Sequence, residues 1–577
     1  MELNRRDFLK GAVVTGALAA GGALAGCAPA AKEGNAANGT AAAPAEGAAS
    51  EYLTAASATQ KWAFEIPPEP ITDIAETVEA DVVVVGAGTA GLVTAYSALQ
   101  QGLDVVVVTA SSIPISRGGS NNAIYSKQME KEGFPRQDPY FILKEMAENS
   151  NNVDQRKWYR YYHNSEEAMN WMIDIMEGAG FQTGIERTSN MVEDSLFYQA
   201  PAAHGWINAE NQAVGMTQPF VVNTLSEKIQ AEGGRVLFKN IGRQLVRGGV
   251  PNGTTGRVTG IVCEREDGSF AQYNGTRAVV LATGDFSSNR DMMAKYAPQA
   301  LDMVADEVYD TVDYDKEFVF GGLFPGDGQR MGLWVGAAWQ KTFPCAPMGA
   351  TINAGTTPNA YQNFWGLLVN RDGQRFMNEY CSNILGGRAQ TLQPGGESFA
   401  LWDVNYSNLP DWYPGQGGYG ILEKLAPEQV VELWEDSVAS GAYIKGDTLE
   451  EVLEQVGLPV EETIATIERY NELCEAKEDT DFFKRPENLF PIKTPPFYAN
   501  KAAGTPGLLT ILGGLRTDDN MRVCDADDHP IEGLYNVGTM VGDFYSGFYT
   551  FQVEGVNYGA CCLTFGYLTG KFIAENE

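Results

Sequence analysis

The run Asp81-Val82-Val83-Val84-Val85-Gly86-Ala87-Gly88-Thr89-Ala90-Gly91 constrains the fold of this chain more than any other stretch. Its unbroken β-branched residues predict a strand buried on both faces, and Leu92 to Leu99 carries helical spacing. The Gly-x-Gly-x-x-Gly between them has a role for each glycine. Gly86 permits a tight turn, Gly88 lets backbone approach a pyrophosphate, and Gly91 lets the helix pack close to the strand with its N–H groups facing the phosphates. The motif alone is weak, but a second run, Val105-Val106-Val107-Val108, follows Gly102 and completes a βαβ unit. At the end of that run an acidic residue usually holds a ribose. This chain has Thr109-Ala110-Ser111 there, so hydroxyls substitute. The pattern predicts a dinucleotide site.

With 577 residues the chain has room for two or three domains, and a formal net charge of −33 argues against nucleic acid or an anionic membrane surface as partner. Eight cysteines without a C-x-x-C pair and only 3 histidines exclude iron–sulfur, zinc and c-type haem patterns, so no metal is expected. Asn4-Arg5-Arg6-Asp7-Phe8-Leu9-Lys10 reads as a twin-arginine signal, followed by a weakly apolar run too short to span a bilayer. Leu24-Ala25-Gly26-Cys27 resembles a bacterial lipobox. Residues 1–27 are therefore expected to direct export by the twin-arginine route. A lipid on Cys27 would then be the only membrane attachment, on the extracytoplasmic face of the cell membrane. Residues 28–75, poor in large apolar side chains over much of their length, read as a flexible tether and lead-in segment.

Beyond the βαβ unit, Ile113 to Ala123 brings Gly118-Gly119-Ser120 just past the second strand, as a loop able to lie against a flat ring. The stretch from Pro139 to Gly180 reads as helical, with Trp158, Tyr161, Met169, Trp171 and Met172 as core. Strands are predicted at Arg235 to Phe238, Val258 to Arg265 and Ala278 onward, the last ending in Ala282-Thr283-Gly284, where backbone again meets the dinucleotide. Asp327, in Gly326-Asp327-Gly328, is either a cofactor ligand or a helix N-cap.

Six blocks carry a resemblance: Gly86 to Gly91, Ala282-Thr283-Gly284, Gly326-Asp327-Gly328, Arg375-Phe376-Met377-Asn378-Glu379, the helical stretch Thr448 to Asn471, and Gly533-Leu534-Tyr535-Asn536-Val537-Gly538. In this order they resemble the fumarate reductase / 3-ketosteroid dehydrogenase superfamily of FAD flavoproteins. The resemblance implies an α/β fold: a Rossmann-like, glutathione-reductase-type FAD-binding domain (76–344 and 501–577) interrupted by a smaller α+β capping domain (345–500). It implies non-covalent FAD and an active site between the domains. It also implies a closing helix opened by Gly555-Val556, whose N-terminus would face the flavin and ease its reduction.

The departures from fumarate reductases are informative. Those enzymes clamp a dicarboxylate with two histidines and two arginines, since buried negative charges need charge-assisted partners. Here the corresponding places read Ala346-Pro347, Leu509, Val404-Asn405-Tyr406-Ser407 and Gly542 to Tyr549, without a cation. Fumarate and succinate are therefore rejected as substrates. Tyr361, Phe364, Trp365, Tyr406, Phe544, Tyr545, Phe548, Tyr549 and Phe551 stand instead, suiting a large, flat, largely neutral ligand, although at least half are expected to fill core. Tyr406, Tyr545 and Tyr549 are the candidate acid and carbonyl donors for reduction of a conjugated C=C bond, with Glu379 as a proton relay or a structural carboxylate. The expected partners are a small unsaturated molecule and a separate membrane-associated electron donor, a cytochrome or quinol-linked protein. Two alternatives remain: a ketosteroid-type dehydrogenase running oxidatively, or a non-catalytic flavin- or ligand-binding lipoprotein.

Overall fold

The two valine runs lie side by side inside the largest sheet of the computed structural model. It describes residues 61–577 except 141, 144–145, 147–152, 187–200, 209–216, 310, 317–321, 343–345, 350–365, 381–388, 391, 409–411, 413–424, 503–507, 548 and 550–552. β1 (Glu76–Val85) runs into α1 (Thr89–Gln100), and the chain returns as β2 (Val105–Val108), parallel to β1 with Val82 opposite Val105. Their side chains sort by parity. Val82, Val84, Val105 and Val107 join one core, while Val83, Val85, Val106 and Val108 join the core on the other face. A strand sends alternate side chains to opposite faces, so a sheet covered on both sides selects apolar residues at every position.

β3 (Asn121–Asn122), β4 (Gln182–Ile185) and β5 (Ala203–Ile207) form a small antiparallel sheet in the order β3-β5-β4. Between β3 and β4 runs α2 (Gln155–Gly178), whose Trp158, Tyr161, Met169 and Met172 are buried and whose Trp171 packs at the edge of the same core, as their spacing predicts. α3 (Gln218–Ala231) leads to β6 (Arg235–Leu237), parallel to β2. Then β7 (Asn240–Arg247), β8 (Val250–Pro251), β9 (Val258–Arg265) and β10 (Phe270–Leu281) complete the connection. β10 is longer than its sequence pattern suggests. Its first half pairs antiparallel with β9, and it runs parallel to β1 from Ala271 to Leu281. That pairing also moves the start of β1 back from Asp81 to Glu76.

After α4 (Asp327–Trp334) and β11 (Ala346–Gly349), a second sheet forms from β12 (Leu367–Asn370), β13 (Ser398–Asp403), β14 (Ile444–Gly446) and β15 (Phe497–Ala502), in the order β12-β13-β15-β14. α5 (Leu449–Val456) and α6 (Val460–Ala476) contribute Val452, Leu453, Ile467 and Tyr470 to the core on one face, while Trp402, Trp412 and Trp434 pack on the other. β16 (Leu508–Leu512) pairs with β11; β17 (Arg522–Cys524) and β18 (Pro530–Asn536) then rejoin the large sheet, β18 parallel to β10. A π-helical segment, Asn557–Thr564, runs into α7 (Phe565–Asn576), which packs on α1. A Cβ on Gly570 would sit 2.7 Å from the Ser97 Cβ, so that helix contact requires glycine.

Residues 61–577 make one compact unit, and the lead-in to it is tied down. Phe64 is buried and its carbonyl accepts a hydrogen bond from the Trp334 indole at 2.8 Å. The expected signal, the Cys27 anchor and the tether as far as residue 60 lie outside the described residues. No described helix is long and apolar enough to cross a membrane.

Candidate functional site

The carboxyl ends of β1, β2, β10 and β18 open onto one cavity of ≈ 570 Å³, the place where parallel α/β sheets bind ligands. Its wall takes residues 85–90 from the β1–α1 turn, 108–111 from the end of β2, 115–120 from the following loop, 282–285 after β10 and 537–539 after β18. Two glycines of the turn serve packing. Gly86 sits at φ +113°, where a Cβ would meet the Ala282 carbonyl at 2.3 Å, and a Cβ on Gly91 would lie 2.0 Å from the Gly86 carbonyl. Gly88 differs. The nearest atom to its Cβ position is the Ile115 carbonyl at 3.5 Å, so its bare face belongs to the cavity. No side chain caps the start of α1, which leaves its first N–H groups for an anion.

Side chains brace this cradle. Thr89 donates to Gln218 Oε1 at 2.9 Å and lies 2.7 Å from the Ser116 hydroxyl, while Gln218 Nε2 donates to the Gly119 carbonyl at 2.9 Å. The first turn of α1 is thereby fixed to the Gly118-Gly119-Ser120 loop. At the end of β2 the Thr109 and Ser111 hydroxyls are 3.0 Å apart, with Ala110 between them in the wall. Asp327 is the first residue of α4, whose cap is Gly326, so it is not an N-cap. It accepts from the Tyr314 hydroxyl at 2.7 Å, pairs with Arg330 and lines the cavity. Thr283 accepts from the Gly328 N–H at 3.1 Å, docking that helix start against the loop after β10.

Gly538 and Gly555 also line the cavity, and a Cβ on Gly555 would lie 2.8 Å from the Ser120 carbonyl. Asn557 opens the π-helical segment with a buried side-chain oxygen that has no protein partner and is part of the same wall. Bare glycine backbone, an uncapped helix start and an orphaned amide oxygen fit a long polar cofactor with phosphates at one end and a hydrogen-bonding ring at the other. Two predicted cofactor residues are not in the wall. Gly91 lies beneath it as packing, and Val556 is fully buried in the core.

The catalytic candidates divide sharply. Tyr549 lines the cavity, and its hydroxyl donates to the Val553 carbonyl at 2.7 Å. Tyr545 does not: it packs edge-on against Trp158 and Phe544 within the core around α2. Tyr406 is also corrected, since it is 3% exposed among Trp412, Trp434 and Phe490. Aromatic content grows a core as readily as a pocket, and only long-range packing separates the two. Tyr361, Phe364, Trp365, Phe548 and Phe551 lie outside the described residues. Glu379 sits at the centre of a buried ion-pair cluster. Arg375 meets both its oxygens at 2.9 Å and Asp479 at 2.8 Å, and Lys484 lies 3.1 Å away; the Glu379 and Lys484 side chains are fully buried. Burial lowers the Lys484 ammonium from its ordinary value, with Glu379 opposing that shift.

Sequence reasoning did not single out several wall residues. Asn240, Ile241 and Gly242 enter from the start of β7, and Tyr314 and Phe324 from the segment before α4. Only the sheet order brings these near the glycines. Glu186 and Glu554 are also in the wall, and Thr510 enters from β16 beside Leu509, which the sequence already marks as standing where a histidine would. The one available signal was Glu554, a lone acid beside Gly555 in a neutral stretch. Among the described lining residues Arg117 is the sole arginine or lysine; it lies over the Phe324 ring at 5.4 Å, and burial lowers its pKa.

The sequence profile of the FAD binding domain family matches residues 81–555. The chain is similar to the vinyl phenol reductase of Lactiplantibacillus plantarum, 26% identical over 524 residues that cover 85% of this chain and 94% of that protein. It is also similar to the 3-oxosteroid 1-dehydrogenase of Mycolicibacterium smegmatis, 29% identical over 587 residues, 86% of this chain and 97% of that one. Among solved structures, the 3-ketosteroid-Δ4-(5α)-dehydrogenase of Rhodococcus jostii in complex with 4-androstene-3,17-dione has a TM-score of 0.65 at 23% identity, covering 88% of this chain and 100% of that one. That likeness shows the fold.

Proposed function

This chain belongs to the FAD binding domain family, within the fumarate reductase / 3-ketosteroid dehydrogenase superfamily of FAD-dependent oxidoreductases, and from that premise we propose that it reduces the C=C bond of a conjugated, largely neutral substrate. The observation that supports this reading is that the four places where the fumarate reductases of this superfamily grip a dicarboxylate carry no cation here, Leu509 of the cavity wall among them. A dicarboxylate held at those places would be desolvated without matching cations, which costs several kcal/mol per unpaired charge. An uncharged aromatic alkene avoids that penalty, and Leu509 offers it an apolar surface.

FAD, held non-covalently in this reading, supplies the two-electron centre. The chain does the rest. The β1–α1 turn and the start of α1 would hold its phosphates, the Thr109 and Ser111 hydroxyls would face its ribose, and Asn557 would offer its orphaned oxygen to the ring. Tyr549, tied to Val553, fixes the turn that carries Glu554 and Gly555. In the same reading residues 345–500 form a cap that closes over substrate. The twin-arginine and lipobox patterns support the same reading of a protein exported to the outer face of the cell membrane, anchored at Cys27 and fed by a separate cytochrome or quinol-linked donor.

A second reading, the same chemistry run as a dehydrogenation of steroid-like ketones, is favoured by the likeness to the Mycolicibacterium smegmatis protein. One experiment addresses both. The full chain is purified with FAD, reduced anaerobically and mixed in turn with vinyl phenols, cinnamates, ketosteroid enones and fumarate. We expect a yellow protein reoxidised by a neutral conjugated alkene and not by fumarate. A colourless protein, or brisk reoxidation by fumarate, overturns the proposal; an oxidised protein that a saturated ketone bleaches selects the second reading.

A further inference from the structure

Two buried carboxyl groups in the cavity wall have no counterpart among the residues that the family resemblance supplies. Glu186 follows β4 and is 3% exposed, and Glu554 precedes Gly555 and is 5% exposed. Both converge on Ser120: its hydroxyl donates to Glu186 Oε2, and a Cβ on Gly555, next to Glu554, would lie 2.8 Å from its carbonyl, so the two carboxyl groups adjoin. The backbone holds both in place. The Glu186 N–H donates to the Ala203 carbonyl at 2.8 Å, and Asn122 Nδ2 donates to the Glu554 carbonyl at 2.7 Å. Asn122 is in turn held by the Tyr161 hydroxyl at 2.5 Å and by Gln137 at 3.1 Å.

Two carboxyl groups that share a buried site repel once both are charged, which favours one proton held between them. Burial raises the Glu186 carboxyl above its ordinary value. The pair stands in the same cavity as the cofactor cradle. Tyr549 does not compete for this role, because its hydroxyl proton is directed at the Val553 carbonyl.

We propose that Glu186 and Glu554 hold a single proton between them and deliver it to substrate as the acid of the C=C reduction. This rests on the reading of the cavity as an alkene-reducing site. In the step, one alkene carbon receives a hydride from reduced flavin, which becomes oxidised, and the neighbouring carbon takes the proton from the carboxyl pair. The new C–H bonds replace the π bond. The pair, left with both carboxylates ionised, recovers its proton from solvent.

The other ionisable groups of the wall are Arg117, Asp285, Asp327, Tyr314, Tyr549, Tyr558 and Cys562, and His204 lies opposite Ile185 across β4 and β5. Burial pushes Tyr558 and Cys562 up to about 12 and His204 down to about 4. Those three do not titrate near neutral pH.

The test uses the FAD-loaded full chain, as wild type, Glu186→Gln and Glu554→Gln. First, the infrared carboxyl stretch of the oxidised wild-type protein is followed against pH. We expect a buried protonated carboxyl that ionises above the usual carboxylate range and disappears in Glu186→Gln. Second, anaerobically reduced protein is mixed with an alkene that reoxidises the wild type. Reoxidation should fall about 10²-fold or more in Glu186→Gln and lose the wild-type pH profile, with flavin content and ligand affinity retained. An absent band overturns the shared proton without needing any variant to fold, and unchanged rates and pH profiles in both variants overturn the acid role. If the wild type is yellow but no alkene reoxidises it, the alkene-reducing reading fails with the acid role, while the infrared titration still decides the shared proton.

Discussion

The large sheet and the four-stranded second sheet handle polar and aromatic residues in opposite ways. On the large sheet, the positions that face the cavity are places where a side chain is missing. Gly88 and Gly538 leave backbone exposed to the cavity beyond strand ends that are themselves buried. On the second sheet, residues with the most chemical promise are consumed by the fold. Tyr406 fills a tryptophan core, and Glu379 is locked between Arg375 and Lys484. A reactive side chain far from the strand ends is more readily spent on packing than on catalysis, because burial demands partners that then hold it.

Breaking the contrast at its strongest point means filling a glycine. Gly91→Val puts a side chain against the Gly86 carbonyl, already 2.0 Å from the Cβ position, so the βαβ unit should lose its register. The expected cost is above about 4 kcal/mol, read as loss of soluble, flavin-bearing protein. If Gly91→Val purifies yellow with an unchanged melting temperature, the packing role assigned to that glycine is wrong.

A smaller effect is expected on the other sheet. Glu379→Gln removes the charge that balances Arg375 and fully buried Lys484. Breaking a buried pair of this kind costs about 3–5 kcal/mol. Denaturant unfolding should register that loss while flavin content and the reoxidation rate per flavin stay as in wild type. A catalytic relay would show the reverse: normal stability with slowed turnover.

The smallest effect sharpens the comparison further. Tyr406→Phe keeps the ring that packs against Trp412 and removes only a hydroxyl, so stability should change by about 1 kcal/mol. Its steady-state rate should match wild type, whereas Tyr549→Phe, which frees the turn before Glu554, should slow the reaction. Equal effects in the two variants would erase the distinction between the sheets.

Much of the large sheet was legible in the sequence because its constraints are local. Burial on both faces selects valine from Val82 to Val85 of β1 and throughout β2, and the tight strand-to-helix turn selects glycine within a few residues of them. The reading of Thr109, Thr283 and Asp327 follows from the same strand ends. The rest of the cavity wall was not legible in this way. Glu186, Glu554 and Asn240 are contributed by three separate segments, and no spacing in the chain links a lone glutamate after β4 to another before Gly555. Nor could composition tell Tyr406 from Tyr549.

The sequence by itself determined the βαβ cradle, its glycines and the family to which the chain belongs, because those depend on conformations available over short stretches of backbone. Only the tertiary structure decided which carboxyl groups meet, which aromatic rings face the cavity and which charges neutralise one another. Such pairings are set by distances between segments hundreds of residues apart, and those distances exist only once both cores have packed.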